Sequence, residues 1–211
     1  MDQAAHLWLF FVLVLGTILL PGLDMAFILA SALTGGRKSG LTAVAGIMTG
    51  GVCHVAMGAT GLAVLLKAFP SAFNVVLLLG ALYVAWIGIT LLRSRASFSA
   101  ASQSSPRPLS ATFRQGVLTS LLNPKAYVFM LAIFPQFFRP EYGTLSVQAG
   151  VLWLIIAVTQ AVVYGAVALL AGQARGWLET NPAVNAALAR SVGVMLVLAA
   201  MFTGYEGWHR F

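Results

Sequence analysis

The sequence predicts an all-α integral membrane protein: six transmembrane helices in an inverted 3+3 repeat, with the first and fourth helices broken. Three observations predict it. Only 8% of the 211 residues are charged and 60% are hydrophobic, whereas a soluble domain carries about 25% charge. A water-facing surface cannot be built from so few charges, which excludes a soluble enzyme or a disordered chain. Six runs also reach the ~20 mainly apolar residues that a span needs. Finally, two segments 102 residues apart each carry a proline and unusual polarity at mid-span.

The runs lie near 7–33, 41–66, 71–92, 115–138, 147–171 and 190–208. The first has an Ala30-Ser31-Ala32 stretch resembling a cleavage site. It lacks a basic n-region and its apolar part is too long for a signal peptide, so it reads as a retained helix. With six spans, segments 34–40, 93–114 and 172–190 share one side and hold Arg37, Lys38, Arg93, Arg95, Arg107, Arg114, Arg175 and Arg190. The other side holds Lys67, Arg139 and Arg210. The positive-inside rule puts the first set in the cytoplasm and both termini outside. The net charge of +7 is thus orientation charge, and its scatter excludes a nucleic-acid footprint. Residues 94–112, rich in Ser, Ala and Pro, form the linker of a single 1–211 transmembrane domain with repeat halves 1–93 and 113–211. Trp8, Tyr142, Trp177, Tyr205 and Trp208 fall near span ends, as an interfacial belt does.

The repeat pairs Thr17–Ala30 with Thr119–Ala132. Three spans per half make the second copy run opposite to the first, the arrangement in which broken helices meet at a binding site. Pro21-Gly22 interrupts span one and Asn123-Pro124 interrupts span four, each proline removing a backbone donor. A charge inside the bilayer is costly and faces the bundle interior or a water cavity. Asp24 and Lys125 are such charges, and they are expected to be neighbours or to share one polar cavity. Either could serve substrate or proton binding, or the two could form a static pair.

Asn123 offers both a donor and an acceptor at the break. Thr17, Thr119, Tyr83, Tyr127 and Gln136 are further polar candidates within spans. His54 titrates in a range suited to proton handling, although a lone intrahelical histidine more often serves packing or hydrogen bonding. Gly46-x-x-x-Gly50, followed by Gly58 and Gly61, reads as close helix packing, either internal or in a homodimer. Cys53, the single cysteine, excludes an internal disulfide and Cys-based metal sites, and no cofactor or metal-ligand spacing appears. A membrane-embedded enzyme using Asp24, His54 and Lys125, or a non-transporting scaffold, is the alternative.

At these positions the chain resembles the LysE/RhtB family of bacterial amino-acid exporters. The resemblance rests on Leu20-Pro-Gly-Leu-Asp-Met25, Gly35-Gly-Arg-Lys-Ser-Gly-Leu41, the glycine-rich stretch 46–61 and Gly80-Ala-Leu-Tyr-Val-Ala-Trp-Ile-Gly88. It continues through Phe113-Arg-Gln-Gly116, Asn123-Pro-Lys-Ala126 and Phe134-Pro-Gln-Phe137. The family usually has Pro-Gly-Pro before the acid, whereas Leu23 stands here and can donate a backbone N–H. The resemblance implies a proton-coupled exporter of amino acids or close derivatives in the bacterial inner membrane, with neutral or basic substrates. Asp24 would take the substrate ammonium. Lys125 and the backbone near Pro124 would take the carboxylate, with Pro21, Gly22, Asn123, Tyr127 and His54 completing the site.

Overall fold

The computed structural model describes residues 2–59 and 107–208, with scattered positions between 75 and 93. The described residues are helical apart from short turns and contain no strand. The end of the second expected span, most of the third and most of the 94–112 linker lie outside them. The helices are α1 (Gln3–Leu19), α2 (Leu23–Ala59), α3 (Leu109–Leu121), α4 (Pro124–Ala132), α5 (Leu145–Thr180) and α6 (Pro182–Trp208). Two 3-10 turns, Phe134–Phe137 and Pro140–Tyr142, join α4 to α5. By length and composition α2 and α5 can cross a membrane, and a third crossing results if the bent α3–α4 pair is one span.

Helix α1 opens on Asp2, whose side chain accepts from Ala5 N at 2.8 Å and so satisfies one free N-terminal donor. His6, Phe10, Val14 and Ile18, spaced by four, form its buried face. Trp8 and Leu20 on other faces are 66% and 62% exposed. Pro21 has no N–H to continue the ladder, and α1 stops at Leu19.

Helix α2 folds back on itself. Gly36 sits at φ 73°, ψ −172°, a backbone state open to glycine and strained for other residues. A Cβ placed on Gly40 would lie 2.7 Å from the Ala32 Cβ, whereas residues eight apart on a straight helix are ~12 Å apart. Limbs 23–35 and 37–59 therefore pack side by side, and the expected 34–40 connection shrinks to one residue. The first expected span is α1 plus the first limb, interrupted at Leu20–Gly22, and the described part of the second is the other limb.

Helices α3 and α4 make the second broken element. Their axes bend by 51° at the break. The helix begins at Leu109, so the last residues of the 94–112 stretch belong to it. The segment expected to connect two spans over 172–190 is helical on both sides of Asn181. Helix α5 continues to Thr180 and α6 starts at Pro182. Hydropathy falls where a chain leaves the lipid, but a helix ends only where its backbone is broken, here at Asn181-Pro182. At 36 residues, α5 is ~54 Å long and outreaches a ~30 Å core. Asn181 Nδ2 and the Thr180 hydroxyl both donate to the Trp177 carbonyl at 2.8 Å.

The main core joins Phe10 and Val14 of α1, Ile28 and Ile47 of α2, Phe134, and Leu152 of α5. The Gly46-x-x-x-Gly50 face is spent on internal packing: Gly46 lies against Phe113 and Gly116 of α3, and Gly50 against Ser120. This contact fixes the end of α3, where the second break begins.

Candidate functional site

Each break exposes main-chain carbonyls. In a continuous helix the N–H of residue 21 would donate to Thr17 and that of residue 124 to Ser120, and both positions are proline. Lys125 Nζ donates to Thr17 O at 3.0 Å and to Leu20 O at 2.9 Å. The ammonium therefore rests on the carbonyl end of α1, where the helix dipole favours positive charge. His54 Nε2 donates to Ser120 O at 2.9 Å; since a carbonyl only accepts, the Nε2–H form is assigned. Asn123 N also donates to Ser120 O, at 3.0 Å.

Helix α4 starts with a side-chain cap. Asn123 Oδ1 accepts from Lys125 N at 3.0 Å, Pro124 occupies the first turn, and the amide Nδ2 is left buried without a partner. Replacing Asn123 with Ala is expected to cost about 1 kcal/mol, a fall of about 2–4 °C in melting midpoint for a chain of this size. Asn123→Ser, which keeps an uncharged capping oxygen, should retain most of that. An Ala variant melting with the wild type would remove the cap from this account.

Between the breaks lies a cavity of about 60 Å³, room for about four waters. Asp24, His54, Ser120, Asn123, Lys125 and Tyr164 supply its polar wall, and Val14, Ile18, Phe129, Met130 and Ile156 its apolar one. Asp24 is 4% exposed, and its Oδ1 has no hydrogen bond. Asn123 and Tyr164 stand beside its carboxyl, and Lys125 and His54 are near enough to act on its charge. Thus Asp24 and Lys125 share the cavity as expected, but Lys125 is engaged by α1 carbonyls. An unpaired carboxylate oxygen at this depth is expensive, and with the unpaired Asn123 amide it leaves one acceptor and one donor without partners at a single spot.

The other expected residues fall at different distances from this cavity. Thr17 lines it, its hydroxyl donating to Leu13 O at 2.8 Å. Pro21 and Pro124 shape the breaks without lining the cavity. A Cβ on Gly22 would lie 3.3 Å from Lys125 Nζ, so the missing side chain lets the ammonium approach. Tyr127 packs edge-on against His54, centroids 4.8 Å apart, outside the lining. Thr119 is buried with an unpartnered hydroxyl, Tyr83 stacks near Trp86, and Gln136 is exposed in a 3-10 turn. Tyr164 and Gln160 of α5 also line the cavity, and neither is among the residues that the sequence marks as candidates. Their i, i+4 spacing within an apolar run was the available signal. Two pairs at the 102-residue offset, Ile18 with Ser120 and Asp24 with Ala126, face this same cavity.

Comparison with known proteins places the chain. It is 30% identical to an uncharacterized membrane protein of Pseudomonas aeruginosa over 90% of both chains. To a leucine efflux protein of Klebsiella pneumoniae it is 35% identical, over 69% of this chain and 68% of that one. A homoserine/homoserine lactone efflux protein of Salmonella typhimurium is 28% identical over 90% of this chain and 93% of its own. No solved structure matches. Residues 15–207 match the family described as LysE type translocator, whose members are transporters and not enzymes. With a match over nearly its whole length, the chain belongs to the LysE type translocator family.

Proposed function

We propose that the protein is a proton-coupled exporter of neutral amino acids or close derivatives, with the substrate held at the membrane midplane between the two broken helices. The observation that carries this reading is the buried Asp24 Oδ1, without a partner in a cavity that also presents the unpaired Asn123 Nδ2. A zwitterion complements that pair. Its ammonium donates to Asp24, and its carboxylate accepts from Asn123 and from whichever Lys125 proton the α1 carbonyls leave free. Asp24 is the one acid among the described residues lining the cavity. A basic side chain would need a second acid beside the one that takes the α-ammonium. The facing Val14, Ile18 and Met130 suit an uncharged side chain instead.

Competition between a proton and the substrate ammonium for Asp24 would couple the two fluxes. The 102-residue offset supports a six-span inverted repeat, because the breaks at Leu20–Gly22 and Leu122–Asn123 overlap under it, and two cavity-lining pairs coincide. The basic segments argue for cytoplasmic connections and outward termini in the bacterial inner membrane. The efflux proteins among the relatives support the substrate class.

The test is transport in liposomes carrying the purified protein, with radiolabelled leucine, threonine, homoserine and lysine, with and without an imposed pH gradient. The neutral amino acids are expected to move and the gradient to drive them against their concentration, while lysine lags. Movement of none of the four would end the reading, and gradient-independent movement would remove the proton coupling.

A further inference from the structure

We infer that the two breaks close each other crosswise: Lys125 and His54 are positioning residues, each replacing the backbone donor that proline removes from the opposite half. Pro21 leaves the Thr17 carbonyl without its helical partner, and Lys125, from the second half, donates to that oxygen at 3.0 Å. Pro124 leaves the Ser120 carbonyl without its helical partner. Asn123 N reaches it by a tighter i→i+3 bond at 3.0 Å, and His54, from the first half, donates to it as the second partner at 2.9 Å. These are the two oxygens that the i→i−4 rule selects.

The surroundings are fitted to both bonds. Gly22 has no side chain where the ammonium passes; a Cβ there would lie 3.3 Å from Nζ and 3.6 Å from Cε. Tyr127 holds the His54 ring edge-on, and His54 is 1% exposed. A carbonyl that loses its helical donor inside a membrane is costly. Thr17 O has Lys125 as its donor, Ser120 O is shared between Asn123 N and His54, and each side-chain bond ties one half of the chain to the other. This assignment is independent of what the protein carries. It gives His54 and Lys125 a duty in the resting protein that neither proton transfer nor substrate binding requires.

The experiment is a set of double replacements read by the melting midpoint of purified, detergent-solubilised full-length protein. Pro21→Ala supplies the N–H that bonds Thr17 O once α1 extends through Leu20, and Pro124→Ala supplies the one that bonds Ser120 O once α3 extends through Asn123. Leu20 and Asn123 are both extended in the wild type. Lys125→Met and His54→Phe remove the side-chain donors while keeping approximate volume. Each donor replacement alone should lower the midpoint by about 4 °C or more. In the matched pairs, Pro21→Ala with Lys125→Met and Pro124→Ala with His54→Phe, most of that loss should disappear. In the crossed pairs, Pro21→Ala with His54→Phe and Pro124→Ala with Lys125→Met, the effects should add. Matched pairs as additive as crossed ones would overturn the inference.

If Lys125→Met or His54→Phe yields no folded protein, recovery of a monodisperse species only in the matched background is the supporting result. Recovery in neither background, or in both, counts against it. His54→Gln, which keeps an N–H donor, should retain more of the wild-type midpoint than His54→Phe; equal losses also count against it. Because the readout is stability, failure here leaves the transport assay unaffected, and failure of transport leaves this result standing.

Discussion

Asp24→Asn is expected to abolish export. The initial rate in liposomes under a pH gradient should fall by on the order of 100-fold or more, with the variant still folded and monodisperse. The side chain is buried, and its free oxygen is the acceptor that a substrate ammonium would meet. An amide keeps the shape but loses both the charge and the proton exchange. Losing one partner of a buried, hydrogen-bonded charge pair costs about 2–5 kcal/mol, and every 1.4 kcal/mol is about tenfold. Asp24→Glu, which restores both properties at a longer reach, should recover part of the rate. A folded Asp24→Asn protein exporting at half the wild-type rate would remove Asp24 from the transport cycle. The paired measurement on Asp24→Asn of unlabelled-substrate exchange without a gradient separates binding from coupling, and both should fall.

The features that act locally along the chain could be read from the sequence. Pro21 and Pro124 break helices because their rings lack a donor, whatever surrounds them, and both breaks occur within a residue or two of those positions. Asp24, Asn123, Lys125 and His54 stand out because polar groups in apolar runs must turn inward, and all four line one cavity. The partners of Lys125 could not be read in the same way. It bonds two main-chain carbonyls, and a carbonyl has no side-chain identity to mark it. Tyr164 is hard to read for the opposite reason, since a tyrosine in an apolar helix, even with Gln160 one turn before it, resembles ordinary packing until its neighbour across the bundle is known. The helical character of the 172–190 stretch is not legible in hydropathy, which reports the solvent around a helix and not its continuity.

Gly46→Leu is expected to leave no folded monomer, and Gly46→Ala to lower the melting midpoint by about 6 °C or more, taking ~3 kcal/mol for overpacking at about 2 °C per kcal/mol. A Cβ on Gly46 would collide with the Phe113 carbonyl oxygen and lie 3.1 Å from Gly116 Cα. The obstruction is reciprocal, for a Cβ on Gly116 would lie 2.9 Å from the Ala43 carbonyl oxygen. Backbone stands on both sides of this contact, so no rotamer change relieves it and the helices must separate. Separation would also reach the site. Helix α3 carries Ser120 and leads into Asn123, and the α2 limb carrying Gly46 carries His54 two turns on, so the His54–Ser120 bond spans the same interface. Gly16→Ala is the control, because a Cβ there meets nothing within 4 Å and alanine favours a helix over glycine by ~1 kcal/mol. Its midpoint should hold or rise. Equal behaviour of Gly46→Ala and Gly16→Ala would mean that the α2–α3 contact is looser than the separation of Gly46 and Gly116 implies, and that the second break is held in place by something other than this seam.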